Sequence, residues 1–142
     1  MGNKEMKSND KVVYVSGSFD MFHPGHLKFL KKVHEFGSFV IVGVHDDETV
    51  RKYKGNDYPI GGLFERGLCV LSCKYTDDMI MAAPAKITLD MIKTLNISVV
   101  IEGAYGKRKY DEDPYAVAKS IGIYKKLDEV YETTTENIIV RI

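Results

Sequence analysis

The 142-residue chain has no tryptophan, two cysteines, four prolines and no excess of either charge, because twenty basic residues balance twenty acidic ones. Each shortage excludes something. A neutral balance gives no global field to draw the chain onto nucleic acid or an anionic membrane. No apolar run approaches the length of ~20 residues that spans a bilayer. Met1 to Asp10 is polar throughout, which is not a signal-peptide pattern. The expectation is a disordered lead-in over residues 1–10, one domain over 11–142, and a cytoplasmic protein. Cys69 and Cys73 lie four apart in a predicted helix, a poor arrangement for a disulfide, and no second Cys/His pair stands at zinc-ligand spacing. They are expected to be buried, reduced core thiols, and no metal site of the protein's own is expected. The chain also lacks a Ser/His/Asp or Cys/His arrangement and the Gly-rich Walker pattern ending in Lys-Ser/Thr. Triad hydrolases and P-loop enzymes are thereby set aside.

What is present is concentrated in Gly17-Ser18-Phe19-Asp20-Met21-Phe22-His23-Pro24-Gly25-His26. An apolar run, Val12 to Val15, precedes it and reads as a buried strand. The amphipathic run from Leu27 to Phe36 follows and reads as a helix. A strand-turn-helix junction of this kind is suited to an anion, since the first N–H groups of a helix lack internal partners and carry the positive end of its dipole. Pro24 fits the first helical turn. His23 and His26, three apart, lie near one face, and Gly25 between them leaves room for a ligand to approach the backbone.

Along the rest of the chain strands and helices alternate. Strands are expected over Lys11 to Ser16, Phe39 to Val44, Met79 to Ala82, Ile97 to Ile101 and Ile123 to Leu127. Helices are expected over Pro24 to Phe36, with Leu27, Leu30 and Val33 on the buried face, and over Phe64 to Cys73, apolar at Leu68, Val70 and Leu71. Another spans Leu89 to Leu95, with Thr88 as its cap, and another runs from Asp113-Pro114 through Lys119. A short helix is expected to end near Arg51, leaving Lys52 to Pro59, with Lys54, as a loop. Glu102 to Gly106 is expected to be a glycine-punctuated loop leading into Lys107-Arg108-Lys109, and Thr133-Thr134-Thr135 to precede a terminal helix, Glu136 to Arg141. This alternation predicts a three-layer α/β fold on a doubly wound parallel sheet. Ligands bind such sheets outside the carboxyl ends of the strands, where the loops after the first, second and fourth strands fall.

Several phosphate-binding devices without an acid/base pair point to phosphoryl or nucleotidyl transfer, in which the enzyme mainly positions groups and neutralises charge. A phosphomonoester nucleophile is already largely a dianion near neutral pH and needs no protein base. The run Lys107-Arg108-Lys109 reads first as a solvated face.

Gly17-Ser18-Phe19-Asp20 followed by His23-Pro24-Gly25-His26 resembles the two leading motifs of the cytidylyltransferase family of nucleotidyltransferases. Tyr53-Lys54-Gly55 with Tyr58-Pro59-Ile60 is similar to that family's lysine loop. Glu65-Arg66, Cys73-Lys74-Tyr75 and Ala83-Pro84 are similar to the segment around its dimer contact. The resemblance covers nearly all of the chain after Asp10, and is strongest to the second, C-terminal domain of the branch acting on phosphoethanolamine. It implies a Rossmann-like nucleotidyltransferase fold and the conversion of CTP and phosphoethanolamine to CDP-ethanolamine and pyrophosphate, with Mg²⁺ accompanying the CTP. It implies that His23 and His26 contact the CTP phosphates and that Lys54 bridges the α-phosphate and the incoming phosphomonoester. Gly17, Ser18, Phe19, Asp20 and Gly25 would line the nucleotide, Glu102, Gly103, Ala104 and Tyr105 would hold base and ribose, and Thr134 and Thr135 would add hydroxyls. A homodimer, or pairing with an N-terminal sister domain, is implied as well. Choline phosphate and glycerol 3-phosphate stand as alternative acceptors; the missing tryptophan disfavours an aromatic cage for choline, although nine tyrosines remain. The family's late Arg-Thr-Glu-Gly-Ile-Ser-Thr motif is altered: aligned on Thr133-Thr134-Thr135, Glu129 stands in place of the arginine and Glu132 in place of the glycine. A non-catalytic, nucleotide-binding regulatory half is therefore the second reading.

Overall fold

The computed structural model describes residues 5–103 and 110–127. Its elements are β1 (Val12–Gly17), α1 (Pro24–Val33), β2 (Phe39–His45), α2 (Asp47–Lys54), α3 (Leu63–Leu71), β3 (Asp78–Ala83), α4 (Leu89–Thr94), β4 (Ile97–Gly103), α5 (Ala116–Ser120) and β5 (Tyr124–Leu127). The five strands form one sheet in the order β3-β2-β1-β4-β5, every pair parallel. The chain winds outward from β1 through β2 to β3, then returns to the other side of β1 for β4 and β5. The reversal lies between β1 and β4, and in an open parallel sheet that is where a crevice opens beyond the strand ends.

The two central strands are buried along their whole length, as their near-continuous apolar runs require of a sheet covered on both faces. Alternation divides the core in two. Val13, Val15, Val40, Val42 and Val44 pack under Phe29, Leu30 and Val33 of α1 and Val70 of α3. Val12, Tyr14, Phe39, Ile41 and Val100 pack under Ile92 of α4 and Ala118 of α5. The result is the expected three-layer α/β fold.

Several local expectations change. The first helix is α-helical only to Val33 and tightens into a 3₁₀ turn over His34–Phe36. Gly37, which follows it, has extended backbone, φ −170°. A Cβ there would lie 2.4 Å from the Lys11 carbonyl oxygen, so close approach explains the glycine. The buried stripe of α1 is His26, Phe29, Leu30 and Val33, and Leu27 points outward. In α3 the buried residues are Arg66, Gly67 and Val70, while Leu68 and Phe64 are exposed, Phe64 to 70%. Cys73 is buried but Cys69 is exposed; both are free thiols. Helix α2 extends to Lys54, three residues past the expected end, because both its ends are capped. The Asp46 carboxylate accepts from the Thr49 N–H at 2.7 Å. At the other end Gly55, φ 109°, turns the chain out and donates to the Arg51 carbonyl. Asp47 and Glu48 in the first turn, with Arg51, Lys52 and Lys54 in the last, suit the helix dipole. Glu102 and Gly103 are the last residues of β4 and not a loop. Ala104, Tyr105, Lys107 to Lys109, Glu129, Glu132, the threonine run and the expected terminal helix lie outside the described residues.

Candidate active site at the carboxyl edge

The turn after β1 is bent against the grain of its residue types. Phe19 and Met21 have φ 49° and 48°, a left-handed conformation that costs a side-chain-bearing residue about 1–2 kcal/mol. Burial and a carboxylate hold it there. Ser18, Phe19 and Asp20 are all buried, Asp20 completely. The Asp20 carboxylate accepts from the Ile60 N–H at 2.6 Å and the Gly61 N–H at 2.8 Å. It therefore acts on the site through the loop following Lys54, binding that loop to the end of β1.

His23 caps α1. Its Nδ1 accepts from the Gly25 N–H at 3.1 Å, while its own N–H donates to His26 Nδ1 at 3.2 Å, a reciprocal capping box made of two imidazoles. The His23 carbonyl takes the His26 N–H at 2.9 Å and the Leu27 N–H at 3.3 Å. This modifies the expectation of an anion resting on bare backbone N–H groups, since the first turn already uses several of them. It also assigns the tautomers. With Nδ1 accepting, a neutral ring carries its proton on Nε2. The rings stack 3.9 Å apart between centroids, and His26 also stacks on Phe22. Both are buried, so their direction is fixed before any ligand arrives.

Lys54 is half-buried at the last position of α2, its Nζ 5.2 Å from the centre of the Tyr58 ring. The structure brings it to the same edge as the histidines. Its neighbour Tyr53 bonds to His45 at the carboxyl end of β2, Oη to Nδ1 2.7 Å, and the loop after it is the one held by Asp20. Gly17 closes β1 and Gly25 lies in the first turn of α1, both buried. Across the switch point, the Glu102 carboxylate at the end of β4 accepts from the Tyr124 hydroxyl of β5. Beneath the edge, burial pushes the Tyr14 phenol up to about 12, so it remains a neutral packing group and no acid/base candidate.

Two features escaped the sequence reading. Arg66 is buried in the exposed-looking helix α3 and joins three segments. Nε donates to the Gly61 carbonyl at 2.9 Å, Nη1 to the Ser18 carbonyl at 2.7 Å and Nη2 to Asp47 at 2.6 Å. The signal was its phase, four residues before Val70 on one helical face. The second is a cavity of about 170 Å³ lined by Lys52, Tyr53, Lys86, Tyr110, Asp111 and Glu112 among others. It joins α2 to the segments after β3 and β4, which no local pattern brings together. Among the described residues no group of three or more His, Cys, Asp or Glu side chains is placed to hold a metal ion. No described helix is long and apolar enough to cross a membrane.

Comparison with known proteins agrees with this geometry. Ethanolamine-phosphate cytidylyltransferase of Dictyostelium discoideum is 43% identical over 139 residues, which is 96% of this chain but 39% of that protein. The chain thus spans about two-fifths of that relative's length. An FAD synthase of Pyrococcus horikoshii is 40% identical over 120 residues, covering 83% of this chain and 79% of that protein. A lipopolysaccharide core biosynthesis protein of Thermoplasma volcanium superposes with a TM-score of 0.66 over 86% of this chain and 99% of its own, at 22% identity, a likeness of fold. The cytidylyltransferase-like family model matches residues 14–142. On the strength of that match and of the histidine-capped helix at the sheet's switch point, the chain belongs to the cytidylyltransferase-like family.

Proposed function

We propose that this domain binds CTP at the α1 entrance and transfers its cytidylyl group to phosphoethanolamine, giving CDP-ethanolamine and pyrophosphate. The observation that carries the reading is the imidazole capping box: two buried rings whose tautomers leave Nε2–H donors at a helix N-terminus beyond β1. In the reaction a phosphoethanolamine oxygen forms a bond to the α-phosphorus as the bond to the β-phosphate oxygen breaks, and pyrophosphate leaves with the electron pair. His23 and His26 stabilise the charge that grows on the phosphates. Preorganised donors of this kind are worth about 10²–10³ in rate each. Lys54 bridges the α-phosphate and the incoming phosphomonoester, offsetting the repulsion between two anions. Gly17, Gly25, Glu102 and Gly103 border the crevice that receives the nucleotide. Mg²⁺ enters with the triphosphate, and no residue of the chain is assigned to it.

The cavity beside Tyr53 carries Asp111 and the Tyr110 ring, which suit a primary ammonium such as that of phosphoethanolamine, with Lys86 and Glu112 already paired at its rim. Calorimetric titration of CTP into the chain, with and without phosphoethanolamine, tests the reading. Binding of both, with CDP-ethanolamine formed, is the expected result. ATP and choline phosphate run in parallel report base and acceptor preference.

Glu129 and Glu132 favour a second reading, a nucleotide-binding half with little activity of its own. One lost charge-assisted contact to a triphosphate costs on the order of 1.5–3 kcal/mol, or roughly one to two decades of affinity. The double substitution Glu129→Arg, Glu132→Gly is expected to restore CTP affinity by that amount, and no gain would remove the late motif from the account.

For assembly, the reading is a closed pairing of this domain with a second copy or with a sister domain. The exposed side chains Leu27 and Leu68 line an apolar groove between α1 and α3 that suits such a contact. Sedimentation that finds only monomer at high concentration would count against self-pairing.

A further inference from the structure

His45 is a buried imidazole, 2% exposed, that the proposed reaction does not use. It ends β2 on the same face as Phe39 and Ile41, where alternation puts an apolar residue. Its Nδ1 lies 2.7 Å from the Tyr53 hydroxyl. Tyr53 immediately precedes Lys54 in the last turn of α2. That helix has eight residues and only two buried ones, Val50 and Tyr53. A helix so short has little stability of its own, and its attitude is set by what it packs against. Its first turn is fixed by the Asp46 cap and the Asp47–Arg66 pair. Its last turn is fixed by Tyr53, whose ring packs against Tyr110 and whose hydroxyl meets His45.

We propose that His45 is a positioning residue for Lys54, acting through the Tyr53 hydroxyl. The ring contacts of Tyr53 resist its withdrawal but not a small rotation of the turn about the helix axis. A directional hydrogen bond to the end of a central strand does resist that rotation. Rotation matters because any turn of the helix is magnified along a lysine side chain, and displacing a positioning group by on the order of 1 Å can cost about a hundredfold in rate. The inference rests on the reading of Lys54 as a phosphate ligand.

The test is CTP affinity, measured by calorimetry on the full 142-residue chain, for His45→Gln, His45→Asn, Tyr53→Phe, Lys54→Ala and the double variant His45→Gln, Lys54→Ala. An asparagine amide falls where Nδ1 was, and a glutamine amide falls where Nε2 was. Asn at 45 is therefore expected to keep affinity within about twofold, whereas Gln at 45 and Phe at 53 lose about five- to tenfold, the worth of one neutral hydrogen bond. In the Lys54→Ala background His45→Gln is expected to cost nothing further, since there is no lysine left to misplace. A purely structural role would lower affinity by the same factor in both backgrounds and would not separate Asn from Gln. Losses that add, or equal losses for Asn and Gln, overturn the proposal while the site reading stands, provided Lys54→Ala is damaged. Undamaged Lys54→Ala, or no CTP binding by the unmutated chain, overturns the site reading and this proposal with it.

Discussion

The entrance of α1 and the exit of α2 face the same edge of the sheet but are built in opposite ways. At the entrance the two imidazole rings are themselves the cap: His23 and His26 satisfy the backbone and are oriented by it, three residues apart in one turn. At the exit the cap is Gly55, and Lys54 stands one residue before it. It is placed by side chains distant in sequence: Tyr53 on His45, Asp20 on Ile60 and Gly61, and Arg66 on Ser18, Gly61 and Asp47. The entrance is a local structure and the exit a tertiary one. Damage at the entrance that keeps the cap should therefore affect chemistry far more than stability, while damage around the exit should affect both.

The largest expected effect separates cap from chemistry at α1. Asn is among the best N-cap residues, and Gln three positions into a helix closes a standard capping box. The double variant His23→Asn, His26→Gln keeps the cap, so its loss of stability is expected to be confined to the packing of two buried rings, about 1–2 kcal/mol. It should lose at least about a hundredfold in CDP-ethanolamine formation. A large fall in stability would show that the entrance also depends on tertiary packing by imidazole, and would weaken the contrast.

Arg66 comes next. A lysine keeps the charge facing Asp47 but cannot fork to three acceptors. Arg66→Lys leaves the Ser18 and Gly61 carbonyls without their donor, and a loss of about 2–3 kcal/mol is expected in urea unfolding, at unchanged m-value. Protection of the two imidazoles is expected to survive in the folded fraction, read from their NMR resonances. Loss of those resonances would show that the exit brace also holds the entrance.

Asp20→Asn should act more locally. An amide oxygen can accept from one of the Ile60 and Gly61 N–H groups but presents its NH₂ to the other, so about 1–2 kcal/mol of stability is expected to go. Limited proteolysis is expected to cut between Gly55 and Gly61 in this variant before any other described segment. Cutting elsewhere first would mean that the loop is held without the carboxylate.

The smallest effect concerns pH. The Thr49 N–H bond to Asp46 holds its carboxyl below the ordinary aspartate value. A depressed folded pKa contributes stability that is fully present above the unfolded pKa and lost as pH falls through the folded one. The cap of α2 should therefore weaken only in acid, below the usual aspartate range, with no change between pH 5 and 8. Asp46→Asn keeps the cap and should remove this dependence, while Asp46→Ala should cost about 1 kcal/mol above the usual aspartate range and less in acid.

What the sequence determined by itself is whatever short range decides. The apolar runs at 12–15 and 39–44 required a sheet covered on both faces. The alternation of strand and helix required parallel winding, and Pro24 beside His23 marked the start of α1. A candidate anion site of two histidines was legible because both fall within one helical turn. Period alone misled where a helix carries its burial by special contacts. In α3 the inward residues are an arginine and a glycine, while Leu68 faces out, because Gly67 admits Met81, whose Sδ a Cβ there would approach to 2.4 Å, and Arg66 finds its acceptors in other segments. The length of α2 was missed because its two caps, Asp46 and Gly55, were each weak signals alone. Only the tertiary structure could show that Asp20 supports a loop forty residues away, that Arg66 joins three segments and that His45 meets Tyr53. Such contacts depend on which strand lies beside which. The order β3-β2-β1-β4-β5 follows from how the whole chain buries both faces of its sheet, and no single stretch of residues carries it.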